Sequence, residues 1–155
     1  MKTRTNFLKL SLCIIVVAVL FFSFMFTMIL INEKNRIFTE LAIAYGSLYL
    51  TAVIALCITC CLFKIVSLIE KENAFSYASL HQVQIIFCLT VLEFFILLGL
   101  LPLAYYVAIY DEAPGFIFII AGICLIPFIL ATFIAVIEKL LENAIKLQSE
   151  NKLTI

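Results

Sequence analysis

Along this chain the polar positions fall in short clusters, and the apolar positions form four long runs. Leu10 to Ile31 carries no charge, and neither does Leu41 to Phe63. Val83 to Tyr110 carries one, Glu93, and Phe116 to Ile137 again carries none. A bilayer hydrocarbon core of about 30 Å is crossed by roughly 20 residues rising about 1.5 Å each, so every run is long enough to span it. Lipid cannot satisfy free amides and carbonyls, so the runs must be helices. The expectation is an all-α integral membrane four-helix bundle in one domain, residues 1–155, with spans at 10–31, 41–63, 83–110 and 116–137.

The first run begins like a secretory signal, with Lys2, Arg4 and Lys9 before it. Its apolar part is 22 residues, longer than the roughly 7–15 usual for such signals. It ends in Thr27-Met28-Ile29-Leu30 and not in an Ala-x-Ala site. It reads as a retained helix.

Beyond the fourth span the pattern changes to that of an amphipathic helix. Ile137, Leu140, Leu141, Ala144 and Ile145 recur at i, i+3, i+4, i+7 and i+8, one helical face. Glu138, Lys139, Glu142, Asn143 and Lys146 occupy the other, and Glu142 and Lys146 stand in the favourable i, i+4 order. The second run likewise continues through Ile65, Val66 and Ile69 to about Glu72, and a turn follows at Asn73 to Ser76. Ser76 is placed to cap the next helix, with Ser79 and Gln82 as an alternative capping box. Helices two, three and four are therefore expected to outrun the bilayer. The tail, 138–155, either packs as a helical collar, docks a partner, or lies in the headgroup layer.

Composition agrees with a membrane protein. The 155 residues are 66% hydrophobic and 13% charged, with a mean hydropathy of +1.24, where soluble domains carry about 25% charged residues. Net charge is zero, so direct nucleic-acid binding is not indicated. Orientation follows the basic residues of the short flanks. Lys2, Arg4, Lys9, Lys64, Lys71, Lys139, Lys146 and Lys152 fall on one side, against Lys34 and Arg36 on the other. That bias predicts both termini in the cytoplasm. Tyr45, Tyr49, Tyr105, Tyr106 and Tyr110 cluster near the outer boundary, where amphipathic rings sit well.

Few residues carry chemistry. Glu93 lies near the midplane, where a charge costs a few kcal/mol or more, and no Lys or Arg in another span can pair with it. It is either protonated or faces hydroxyls such as Ser23, Thr51 or Thr90. Its functional reading is a proton, cation or ligand contact; the plainer one is an interhelical hydrogen bond. The six cysteines all sit in apolar runs, where free cysteine behaves as a small hydrophobe. Cys57-x-x-Cys60-Cys61 has a metal-like spacing but neither a charge to lower a thiol pKa nor a matching ligand pair. His81 stands alone at the inner boundary. Pro102 and Pro127 interrupt the third and fourth spans and can kink them. Ala42 with Gly46, and Ala131 with Ala135, are small-xxx-small pairs that permit close helix approach, which leaves a homo-oligomer open. No catalytic set, phosphate loop, cofactor or metal constellation is found, so an enzyme is not expected.

Taken together, Asn73-Ala74-Phe75-Ser76, Leu80-His81-Gln82-Val83, Asp111-Glu112-Ala113-Pro114-Gly115 and the closing Glu150-Asn151-Lys152-Leu153-Thr154-Ile155 resemble the bacterial four-helix membrane family of unknown function 2975. The resemblance covers essentially the whole chain. It departs from the family's pattern at Lys152, where an acidic residue is frequent, and near His81, where a basic one is. It implies a bacterial plasma-membrane location and frequent genomic pairing with a small Xre-type helix-turn-helix regulator, and it implies no activity. Two functions are carried forward. One is a regulatory protein that senses at the membrane and modulates such a cytosolic partner through the 64–82 segment and the tail. Its docking candidates are Phe75, Ser76, Leu140, Ile145, Glu150, Asn151 and Leu153, the last residues forming an extended polar motif. The other is a small transport or membrane-peptide immunity protein using Glu93.

Overall fold

The computed structural model of the chain describes residues 2–32, 39–71, 75–110 and 112–153, and among these every regular element is a helix. The helices are α1 (Lys2–Asn32), α2 (Thr39–Glu70), α3 (Tyr77–Leu97), α4 (Leu101–Tyr110) and α5 (Gly115–Leu153), with a 3-10 turn at Leu98–Leu100 joining α3 to α4. Four stretches are long and apolar enough to cross a membrane: Thr5–Met25, Leu41–Glu70, Tyr77–Tyr110 and Gly115–Glu150. The loop with Lys34 and Arg36, the turn residues Asn73 and Ala74, Asp111, and Thr154 and Ile155 lie outside the described residues.

The spans pack in chain order. α1 lies on α2, α2 on α3 and α4, and α3 and α4 on α5; α1 and α5 share no comparable interface among the described residues. α1 is tied to α2 near both ends. Lys9 Nζ sits 2.7 Å from the Glu70 carboxylate, and the Thr27 and Tyr49 hydroxyls are 2.7 Å apart. The best-covered apolar cluster, Ala44, Leu97, Leu100 and Cys124, joins α2, the α3–α4 junction and α5.

Pro102 explains that junction. Its ring nitrogen has no hydrogen to give the carbonyl four residues back, that of Leu98. The Leu101 N–H takes that carbonyl instead, which tightens the turn to 3-10 geometry. Just upstream, the Leu97 carbonyl accepts the Cys124 thiol at 3.2 Å. Pro127 behaves differently from the expected interruption. It is buried, and α5 runs through it unbroken, the tolerance common where packing supports the freed carbonyl.

The helix starts and ends refine other expectations. Ser76 is the N-cap of α3, its Oγ accepting from the Ser79 N–H at 3.3 Å, so of the two capping arrangements the one at Ser76 forms. The expected extended ending is corrected: α5 stays helical through Asn151 to Leu153, because nothing between Ile137 and Leu153 breaks a helix. At 39 residues, α5 is about 58 Å long. The single face expected of the tail also divides. Ile145 is buried, while Leu140 and Ile137 are exposed, because α3 seats only one edge of that broad apolar arc.

Candidate functional site

Antiparallel packing of α2 on α3 creates a polar seam. The side chains of Ser47 and Thr59 on α2, and of Ser79 and Thr90 on α3, are the buried polar ones among the described residues. Hydroxyls buried on a helix usually bond back to their own backbone. Ser47 does so to Ala44 at 2.8 Å, Thr59 to Ala55 at 2.7 Å and Thr90 to Ile86 at 2.8 Å.

Thr51 is the exception. Its hydroxyl turns toward Glu93 across the seam, yet neither Thr51 Oγ1 nor Glu93 Oε2 closes a hydrogen bond, and both atoms are buried. Of the three hydroxyls proposed for Glu93, Thr51 is thus the one brought to it. Thr90 is already satisfied, and Ser23 is on α1, which lies against α2. Glu93 stands midway along the Tyr77–Tyr110 span. A carboxyl group there with an open oxygen beside an open hydroxyl can take or release a proton, or accept a donor from a small polar ligand.

Immediately toward α4, the seam is tight at Gly99. A Cβ on Gly99 would lie 3.1 Å from the Ser47 Cβ. This is the close approach that small residues permit. It does not occur at Gly46, beside which a Cβ would meet nothing within 4 Å.

Toward the end of the molecule that carries both termini, α3 is joined to α5. Gln84 Nε2 donates to Glu138 at 3.0 Å, and Ile145 is 5% exposed. Gln82 Oε1, also on α3, is buried without a partner. Past Glu138 the charged face of α5 is internally paired. Lys139 and Lys146 reach Glu142 at 2.8 and 2.9 Å. Those hydrogen bonds, with the two positive charges, hold the Glu142 carboxyl down to about 2.

The remaining candidates disperse. Ile145 is withdrawn from partner docking by its burial, whereas Leu140 and Phe75 are exposed. Ser76 is occupied as a cap. Glu150 is exposed on helical backbone, and the side chains of Asn151 and Leu153 lie outside the described residues. Cys57 and Cys60 are exposed while Cys61 is buried, and among the described residues no group of three potential metal ligands forms. His81 is exposed at the terminal end.

Sequence reasoning missed the Gln84–Glu138 link, the Gly99–Ser47 contact and the Cys124 thiol bond. The signal that could have found them is the register of the antiparallel hairpins, which a single known contact in each would fix.

A family model described as protein of unknown function (DUF2975) matches residues 33–155. The chain is also similar to the uncharacterized membrane protein YoaS of Bacillus subtilis (strain 168), 33% identical over 159 residues, which cover 99% of each chain. No solved structure matches.

Proposed function

The chain belongs to the DUF2975 family, and from that premise we propose that it is a regulatory protein of the bacterial plasma membrane. Both termini face the cytoplasm, as the basic flanks indicate. Events at the Glu93–Thr51 seam alter the surface that the inner helix ends offer to a cytosolic partner. The observation that carries the reading is the position of α3. On one side it holds Glu93 against α2; on the other it is joined to α5 through Gln84 and Glu138. A helix shared by two interfaces transmits a displacement because packed helices shift as units. Protonation of Glu93, or a ligand polar enough to use its open oxygen, is an input of the right chemistry. The output surface is the exposed Phe75 and Tyr77 beside the Ser76 cap, with the paired charges of Lys139, Glu142 and Lys146.

The partner proposed is a helix-turn-helix regulator of the Xre type. The test is fractionation of that regulator in cells with the intact chain, with residues 138–155 removed, and with Glu93→Gln. Membrane association that needs the tail and changes with Glu93→Gln supports the reading. A regulator that stays soluble regardless of this protein refutes it.

The buried, unbonded atoms of Thr51 and Glu93 favour one second reading, a small transport or membrane-peptide immunity role. Flux or peptide protection that is lost in proteoliposomes with Glu93→Gln would select it.

A further inference from the structure

Along its inner part, from Phe133 onward, α5 has three faces. Glu138, Leu141 and Ile145 turn toward α3, with Ile145 buried. Lys139, Glu142 and Lys146 form a charged face whose members pair with one another. The third face is apolar and uncovered. Phe133, Ile137, Leu140 and Leu147 are 64%, 54%, 64% and 62% exposed. With Ala144 they recur at alternating steps of four and three, the a/d spacing of a coiled-coil seam.

We propose that this stripe is the contact face between two copies of the chain, which pair as a parallel coiled coil along α5.

Three observations select a second copy. The first is depth. Leu147 lies ten residues past Ile137, about 15 Å along the helix, whereas the polar layer on each side of the hydrocarbon core is only about 5–8 Å thick. Nor can the tail lie down into that layer, because α5 is unbroken and its inner edge is seated on α3. The second is continuity. Phe133 and Ile137 belong to the span while Leu140, Ala144 and Leu147 lie beyond it, all on one line. A partner that covers the whole line must itself cross the membrane. The third is self-complementarity. Copies inserted in one membrane with the same orientation are parallel, and a two-fold axis along the membrane normal brings each stripe position against itself. A charge on the stripe would then meet its like; the stripe has none, and Asn143 and Gln148 flank it. Ile137 at a with Leu140 and Leu147 at d is the pattern that favours two strands, and Ala144 lets the backbones approach.

The proposal needs membrane insertion and nothing from the regulator reading. It reserves Leu140 for the second copy and leaves Phe75, Tyr77 and the charged face to a cytosolic partner.

Cysteine cross-linking in native membranes tests it. The native cysteines end at Cys124, so the tail has no thiol of its own. Under mild oxidation Leu140→Cys and Leu147→Cys should give a disulfide-linked dimer at least fivefold above the wild-type background, while Lys139→Cys and Lys146→Cys should not. Equal cross-linking at stripe and charged-face positions, or none at either, overturns the proposal. Subunit counting by photobleaching gives an independent reading. Wild type should count two and Leu140→Glu/Leu147→Glu one, with helicity by circular dichroism unchanged. A wild-type count of one, or a folded double variant that still counts two, also overturns it. If the charged variant fails to fold, the cysteine series decides alone. The regulator's membrane association, measured separately, tells failure of this proposal from failure of the regulatory reading.

Discussion

Replacing Gly99 by alanine puts a methyl group into a close contact between α2 and the α3–α4 junction. The new Cβ would sit 3.1 Å from Ser47 Cβ, 3.5 Å from Ser47 Oγ and 3.8 Å from Ile43 Cγ2. Carbon pairs are most favourable at about 3.5–4.0 Å, so Ser47 or the junction must give by roughly half an ångström. Ser47 cannot easily do so, since it is 7% exposed and its hydroxyl is held by the Ala44 carbonyl at 2.8 Å. Overpacking of this kind costs about 1–3 kcal/mol. Against it stands the restriction of the unfolded chain, about 0.4–1 kcal/mol, available because the backbone at Gly99 is not left-handed. The net is a loss of about 1 kcal/mol, or roughly 2–4 °C in melting temperature. Gly46→Ala and Gly122→Ala are the controls: a Cβ at either meets nothing within 4 Å. Both should be neutral or stabilising by up to about 1 kcal/mol, the helix preference of alanine over glycine. Thermal melts in mild detergent, followed by circular dichroism, compare the three, and Ser47→Gly should remove most of the penalty at Gly99. Gly99→Ala melting at or above the two controls would refute the close-approach argument.

Other substitutions separate fold from function. Glu93→Leu should raise stability by about 1–3 kcal/mol, because it removes a buried unsatisfied polar atom. A fall of several degrees in its melting temperature would make Glu93 a structural residue instead. Cys124→Ala removes the thiol that the Leu97 carbonyl accepts and should cost about 1 kcal/mol; no loss in the same melt would mean that water or another donor replaces it. Glu142 is held at about 2, below its ordinary 4.5. A depressed carboxyl stabilises above its unfolded pKa and loses that contribution as pH falls through the folded value. Tail helicity should therefore be flat from neutral pH down to about 4.5 and decline from there toward 2, with Glu142→Gln removing the pH dependence. A tail that unwinds equally in both proteins would assign the transition to other carboxylates.

Much of the architecture is legible in the apolar runs, because lipid leaves the backbone few choices. The helical tail and the Ser76 cap follow from local rules of the same kind. What the runs do not contain is facing. Lipid-exposed and protein-exposed positions of a span are both apolar, so the edge of α5 that α3 covers could not be chosen, and Ile145 and Leu140 looked alike. The same blindness hid the partner of Gly99. Glu93 was conspicuous as a charge in a span, but choosing Thr51 over Thr90 needed the hairpin register. Pro102 and Pro127 looked equivalent as well. Their difference lies in their surroundings: at Pro102 a 3-10 turn takes up the freed carbonyl, while Pro127 sits buried within a continuous helix.

The chain-order packing of the spans also bears on how the protein is made. Each span after the first has an interface with the one translated just before it: α2 with α1, α3 and α4 with α2, α5 with α3 and α4. Each new helix can dock as it leaves the translocation machinery, without waiting for a segment still on the ribosome. Contacts between neighbours in sequence close with little loop entropy and form early. The span with least to lean on at insertion is the first, and its grip comes late, through Thr27 on Tyr49 and then Lys9 on Glu70. Biogenesis should accordingly tolerate a pause after any completed hairpin but be sensitive to substitutions that delay the second span.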